Sequence, residues 1–336
     1  MMNIRLRKAL ACLVLLALPG CVFVGLPTVR PMTEKVVGGE GRAKVLLLDI
    51  SGVISDSRGR GRPFRTESNL TARVKEALTR ATGDPDVRAL VLRINSPGGD
   101  VTTTDIIHHE IGEFKKEAEV PVVAELMDVA ASGGYYIASS ADVIVANPTT
   151  VTGSIGVVAY GVDASGLLAK VGISSRAIKS GKMKDMGSPL RAMTGEERRI
   201  VQSIIDSMYA RFIDVVMEGR GARLATEELL AAADGRVYTA GQALDLKLID
   251  RIGYLDEAID VAKELAGVEK ARVVTYARPS AYRHNIYSAA AAAAGAEGAA
   301  GGGGLFGAPA TVNLLNIDAG PVARRFGLNF MYLWLP

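Results

Sequence analysis

Residues 45–50 form an apolar stretch that ends at Asp49 and Ile50, and residues 89–94 repeat the pattern, ending at Arg93 and Ile94. Runs of this length without alternation predict strands buried on both faces, as in a parallel sheet. Between them apolar residues recur at helical spacing over 70–81, and they do so again over 105–116. Short apolar runs at 121–126 and 142–146 extend the order strand, helix, strand, which predicts an α/β domain with right-handed crossovers. Past Ser188-Pro189 the pattern turns helical. Thr194 with Glu197 three residues on predicts a capping box, and Ile200, Ile204, Met208, Phe212 and Val215 form a stripe expected to face the core. A last helix is expected over 254–265.

The two ends differ from this middle. Residues 288–304 are Ala- and Gly-rich without a period that builds a core, and they read as a linker. Beyond it, 326–335 is apolar again and is expected to dock on something. At the other end Arg5, Arg7 and Lys8 precede an apolar run over 9–18 and then Pro19-Gly20-Cys21, the layout of an export leader. The run falls short of the roughly 20 residues of a membrane span, although 22–24 extend it toward a signal anchor. Leu18-Pro19-Gly20-Cys21 resembles a bacterial lipobox, with Pro19 in place of the usual small residue, and makes Cys21 the candidate lipidation site. Either reading implies membrane attachment with the domain on the extracytoplasmic side. The expected organisation is a leader over 1–20, a tether over 21–43, a globular domain over 44–282, a linker over 283–304 and an apolar segment over 305–336.

The chain has 336 residues, 49% of them hydrophobic and 22% charged, which is ordinary for a globular protein. Its formal charge of +3 is accounted for by the three leader cations. The remainder is balanced, so composition offers no basic surface for nucleic acid. Both cysteines, Cys12 and Cys21, lie in the leader region, which leaves the domain without a disulfide or a cysteine metal site.

Three glycine turns fall at predicted strand ends: Asn95-Ser96-Pro97-Gly98-Gly99, Ser132-Gly133-Gly134 and Thr152-Gly153-Ser154-Ile155-Gly156. Ligand sites of open α/β sheets gather at such ends. Glycine lets backbone N–H groups approach a substrate carbonyl, and Gly98, Gly99 and Gly133 are the candidate oxyanion donors. Ser132 stands among small residues as the candidate nucleophile, yet no histidine follows it before His284. A serine hydroxyl needs a neighbouring base. The alternative is a lysine, made neutral by burial. Lys170, Lys179, Lys182 and Lys184 all qualify by position, and spacing leaves the choice among them open.

The stretches INSPGG at 94–99, ASGGYYIASSAD at 131–142, TGSIGV at 152–157, SGxxKD at 180–185 and DGRVYT at 234–239 together resemble the short-form SppA signal peptide peptidases of serine peptidase family S49. The resemblance runs from about residue 44 to 256. It implies a Clp protease/crotonase-like α/β fold, a repeated β-β-α superhelix with a C-terminal helical part. By motif it makes Ser132 the nucleophile, Lys184 the general base and Ser154 the residue that orients that lysine. Gly98, Gly99 and Gly133 fall in its oxyanion region, and no metal or cofactor is implied. The implied partners are signal-peptide remnants and other apolar peptides, the membrane, and further copies of the chain in a homo-oligomeric ring, an octamer being one such size. Lys247-Leu248-Ile249-Asp250 departs from a more usual Gly-Leu-Val-Asp. The rival readings are a crotonase-like acyl-CoA enzyme, an NfeD-like membrane serine protease, and an inactive lipoprotein scaffold of the same fold.

Overall fold

The computed structural model describes residues 31–56, 69–278 and 329–334. The leader, Cys21, His284 and the linker lie outside the described residues. Two strands come first, β1 (Thr33–Gly39) and β2 (Ala43–Ser51), then α1 (Leu70–Thr82), β3 (Val87–Ser96), β4 (Gly98–Asp100), α2 (Val101–Ala118) and β5 (Val122–Ala131). A short helix α3 (Gly133–Ala138) leads to β6 (Val143–Ala146), β7 (Val151–Gly153), β8 (Val158–Tyr160) and α4 (Ser165–Lys170). The long α5 (Gly195–Arg220), α6 (Thr226–Ala232), β9 (Val237–Thr239), α7 (Ala240–Asp245), β10 (Arg251–Ile252), α8 (Leu255–Leu265), β11 (Ala271–Ala277) and β12 (Asn329–Leu333) come after it. Among the described residues no helix is long and apolar enough to cross a membrane.

The strands β11, β2, β3, β5, β6 and β10 run parallel in that order, with β1 antiparallel on the β11 edge. This mostly parallel sheet with helices on both faces is the α/β architecture expected. The apolar runs are continuous because both faces are covered. Val45 and Leu47 of β2 and Ala89 and Val91 of β3 pack on one side with Leu255, Ala258, Ile259 and Ala262 of α8. Leu46, Leu48, Leu90, Leu92 and Ile94 pack on the other, with Val74, Leu78, Ile107, Ile111 and Phe114 of α1 and α2. β1 precedes the expected start of the domain and is tied in by its pairing with β11.

Helix α5 begins with the expected capping box: Glu197 N–H donates to Thr194 Oγ1 at 3.2 Å and Thr194 N–H to Glu197 Oε2 at 2.8 Å. Its stripe is only half core. Phe212 and Val215 are buried, whereas Ile200, Ile204 and Met208 are half-exposed. The C-terminal end is fixed by Arg220, whose guanidinium donates to Asp250 at 2.7 and 2.9 Å and to the Lys247 carbonyl at 2.9 Å. Lys247 itself has φ 58°, a left-handed position. Glycine takes that conformation without steric cost, which explains why the related pattern favours it there.

Candidate active site

Strand β5 has a register shift against β3: Ile94 faces Leu126, but Ser96 faces Ala130. Extra residues on one strand bend it and re-aim the side chains beyond them. The Asn95 side chain closes the gap, accepting from Val129 N–H at 3.2 Å. The redirected strand ends at Ala131 and enters α3 through Ser132, with φ 53° and ψ −115°. A strained strand-to-helix turn of this kind lifts a side chain out of the sheet edge. The Ser132 N–H donates to Gly153 O at 2.7 Å, and Tyr136 N–H donates to Ser132 O at 2.9 Å, so the turn is held from both sides.

The next turn carries a second such residue. Ser154 has φ 50°, and its N–H donates to Arg236 O at 2.7 Å. Left-handed backbone at a residue other than glycine costs of order 1–3 kcal/mol and clusters at functional sites. Among the described residues Glu119, Ser132, Ser154 and Lys247 are the non-glycine cases, and two of them are the serines singled out by sequence. DGRVYT supports this turn, because β9 pairs with β7 and the Tyr238 ring lies 2.7 Å from where a β-carbon on Gly153 would stand.

Gly98 has φ 98°, and a β-carbon there would overlap the Tyr332 carbonyl oxygen and lie 2.7 Å from Gly133 N. Gly133, the backbone of Gly98 and the carbonyl of Tyr332 therefore meet at one point. The Gly98 N–H donates to Ser96 Oγ at 3.1 Å within its own turn. Gly99 is packed against the Ile54 backbone and stands opposite Tyr332 in the β4–β12 register. Ser132 and Ser154 share an open cleft of about 500 Å³ with Gly156, Tyr209, Gly235, Leu333 and Trp334. The N-terminal half of α5 supplies Gln202, Ile205 and Asp206 to the same cleft.

Lys184 is elsewhere. It lines a separate, exposed surface pocket with Ser180, Gly181, Lys182, Met183 and Glu196. The four candidate lysines are nevertheless no longer equal. Lys179 is paired with Asp185 and Lys182 with Glu196. Among the described residues Lys184 and Lys170 make no side-chain hydrogen bond or ion pair. The segment around Lys184 is braced by Arg191, which donates to Asp185 at 2.7 and 2.9 Å and to Glu197. These bonds hold the Asp185 carboxyl far below the usual carboxylate range and lower that of Glu197 to about 2, the Arg191 side-chain hydrogen bond leading in both. Among the described residues no group of three or more His, Cys, Asp or Glu side chains is placed to hold a metal ion.

Sequence reasoning missed one part of the site. An aromatic cluster between α2, α3 and α5 sets the Tyr136 ring against Phe212, tilted by 58° with centroids 5.0 Å apart, with His108 edge-on at 5.3 Å. Burial lowers His108 to about 4, so its imidazole is neutral at physiological pH. The tyrosine was visible inside ASGGYYIASSAD, but nothing local says that its ring meets rings from α2 and α5.

An α/β sheet with a serine on a strained strand-to-helix turn, facing glycines that receive a peptide carbonyl, defines a protein built to hold an extended chain beside a hydroxyl. The sequence profile of peptidase family S49 matches residues 114–269. Over 243 residues the chain is 36% identical to an Enterococcus faecium protein provisionally named signal peptide peptidase SppA, a match spanning 72% of this chain and 70% of that one. It is 42% identical over 185 residues to a provisionally named protease of a Synechocystis strain, covering 55% of this chain and 65% of the other. It is 33% identical over 255 residues to the chloroplastic serine protease SPPA of Arabidopsis thaliana, covering 74% of this chain but 36% of the plant protein. The chain belongs to peptidase family S49.

Proposed function

We propose that the chain is a membrane-attached serine endopeptidase that hydrolyses apolar peptides, cleaved signal peptides among them, through a Ser132–Lys184 dyad. The observation that carries this reading is Ser132 itself: buried, in a left-handed conformation at a strand end, and beside the point where Gly98 and Gly133 meet a peptide carbonyl. Ser132 Oγ attacks the carbonyl carbon, its proton passes to the neutral lysine amine, and the leaving amine takes that proton back. Water then hydrolyses the ester. N–H groups aimed at the developing oxyanion, with Gly133 foremost, stabilise the tetrahedral intermediate. Ser154 orients the lysine. The N-terminal leader, through Cys21 or as an uncleaved anchor, holds the domain on the extracytoplasmic side.

In this reading the lysine comes from a neighbouring copy in a ring. Two observations support it: Lys184 is exposed and unpaired among the described residues, and the segment before it exposes Leu167, Val171, Ile173 and Ile178. Isolated apolar side chains are normal on a surface, but a run of them marks an interaction face. Packing of a second copy over that face buries the ammonium, and burial favours the neutral form that a base needs. The test is hydrolysis of an apolar peptide by the unsubstituted chain, Ser132→Ala and Lys184→Ala. Each substitution is expected to reduce kcat by at least about 10³-fold. Full activity in either sinks the dyad.

A further inference from the structure

Strand β12 lies antiparallel between β4 and β8 and sets the Tyr332 carbonyl oxygen against Gly98 and Gly133. A third group stands at the same point. A β-carbon on Gly133 would lie 2.8 Å from Thr104 Oγ1, 3.1 Å from the Gly98 α-carbon and 3.2 Å from the Tyr332 carbonyl oxygen. The space left by the absent side chain therefore opens between a threonine hydroxyl and a peptide carbonyl. The Gly98 N–H is already engaged, donating to Ser96 Oγ at 3.1 Å.

Thr104 belongs to the first turn of α2 and is fully buried. A threonine inside a helix can turn its hydroxyl back to the carbonyl four residues earlier. Thr104 Oγ1 makes no such bond: among the described residues it is a buried side-chain oxygen without a hydrogen-bond partner. The buried threonines of the neighbouring turn behave differently, with Thr150 Oγ1 donating to Leu126 O at 2.8 Å and Thr152 Oγ1 to Ala130 O at 2.6 Å. A buried hydroxyl left unpaired destabilises the resting fold, and a native structure that keeps one calls for a reason, a catalytic role among them. Valine has nearly the same shape without the hydroxyl, so packing alone does not require threonine at this position.

We infer that Thr104 is a further catalytic residue, whose hydroxyl donates to the oxyanion of the tetrahedral intermediate alongside the Gly133 N–H. This rests on the serine peptidase reading above. As Ser132 Oγ bonds to the carbonyl carbon of a substrate, its proton passes to the base and the π electron pair of the carbonyl moves onto the oxygen. The carbon becomes tetrahedral, the C–O bond lengthens, and in the space beside Gly133 the oxyanion meets the Thr104 hydroxyl. When the electron pair returns to re-form the carbonyl, the C–N bond breaks and the base gives its proton to the leaving amine. Thr104 keeps its own proton throughout. The Tyr332 carbonyl is a planar peptide, as a bound substrate is before attack, and beside it the hydroxyl is unpartnered. A donor idle in the ground state and engaged in the transition state raises kcat without lowering KM.

The experiment measures kcat and KM on an apolar peptide, together with Tm, for the full chain and its Thr104→Val, Thr104→Ser and Ser132→Ala variants. Thr104→Val is expected to lower kcat about 10²-fold, the usual effect of losing one oxyanion donor, while KM stays within about threefold. Thr104→Ser, which keeps the hydroxyl, is expected to recover most of that loss. Because valine removes an unpaired buried polar atom, its Tm is expected to stay level or to rise. Slower catalysis in a protein that is no less stable separates a part in the reaction from support of the fold. A Thr104→Val protein with full kcat overturns the assignment and leaves the peptidase reading intact. A valine variant that melts lower than the unsubstituted chain overturns it too, since the hydroxyl then serves the fold. Loss of kcat that Thr104→Ser fails to recover traces the effect to packing and has the same consequence. An unsubstituted chain that hydrolyses the peptide no faster than Ser132→Ala overturns both readings.

Discussion

The Ser132 N–H donates to the Gly153 carbonyl at 2.7 Å, so the two strained serines, Ser132 and Ser154, are joined through one hydrogen bond and one peptide unit. Gly153 has φ 86°, with the Tyr238 ring packed where a side chain would start. Any residue with a β-carbon must move that ring or leave the left-handed region, and both turns move with it. Gly153→Ala is expected to lower kcat about 10²-fold with a smaller change in KM, because displacement of reacting groups by about 1 Å costs that much. Unchanged kcat in a folded Gly153→Ala protein would show that the coupling between the turns is without consequence.

If the base comes from a neighbouring copy, two dead variants rescue one another. Ser132→Ala supplies intact lysines and Lys184→Ala supplies intact serines. Random co-assembly of equal amounts is expected to restore activity at about a quarter of the sites, since each needs the right copy on both sides. The measurement is peptide hydrolysis by the two variants unfolded, mixed and refolded together, against each refolded alone. A mixture as inactive as its parts places both residues of the dyad in one chain.

The central strands were legible because their apolar runs are broken only by Asp49 and Arg93 near their ends: 45–50 and 89–94 lie within β2 and β3, buried on both faces. β1 was not, since Thr33–Gly39 has neither a run nor an alternation, and its place comes from pairing with a strand more than 200 residues away. The docking of the apolar end was expected, but its location was not. That depends on β4 and β8, strands of three residues each, too short to carry a period. Ser132 was marked by its small neighbours, while the backbone strain that presents it arises from the register shift between β3 and β5. For the same reason the half-exposure of Ile200, Ile204 and Met208 escaped a pattern that recognises helical faces but not what they face.

The segment that carries Lys184 is held by acids whose ionisation is favoured in the folded chain. Asp185 and Glu197 both have lowered folded-state values, with Arg191 as the leading cause. Groups lowered in this way contribute stability above their unfolded pKa, near 4, and lose it as pH falls toward the folded value, about 2 for Glu197. Acidification from pH 5 to pH 2 is therefore expected to loosen residues 179–191 before the sheet. Hydrogen exchange is the measurement, and Arg191→Met is expected to give the same loosening at neutral pH. Protection of 179–191 that is indifferent to both acid and Arg191→Met would remove the network's role.

On the opposite face of β5, Glu125 is fully buried, and burial, reinforced by Glu257 and Asp256, raises its carboxyl to about 9. Asn147, with its amide nitrogen turned inward, donates to Glu125 Oε1 at 2.8 Å and to Gly253 O at 3.2 Å. Oε2 has no partner. A raised folded-state value means that the folded chain holds this proton more tightly than the unfolded one. The resulting stability is fully present below the unfolded pKa, near 4.3, and is lost progressively as pH rises toward about 9. Glu125→Gln keeps the shape and removes the titration. It is expected to leave thermal stability nearly unchanged at pH 4 and to raise it increasingly toward pH 9, by a few kcal/mol at most. Melting curves across that range decide the matter: a difference between Glu125→Gln and the unsubstituted chain that does not grow with pH would mean that the buried carboxyl is already compensated in the fold.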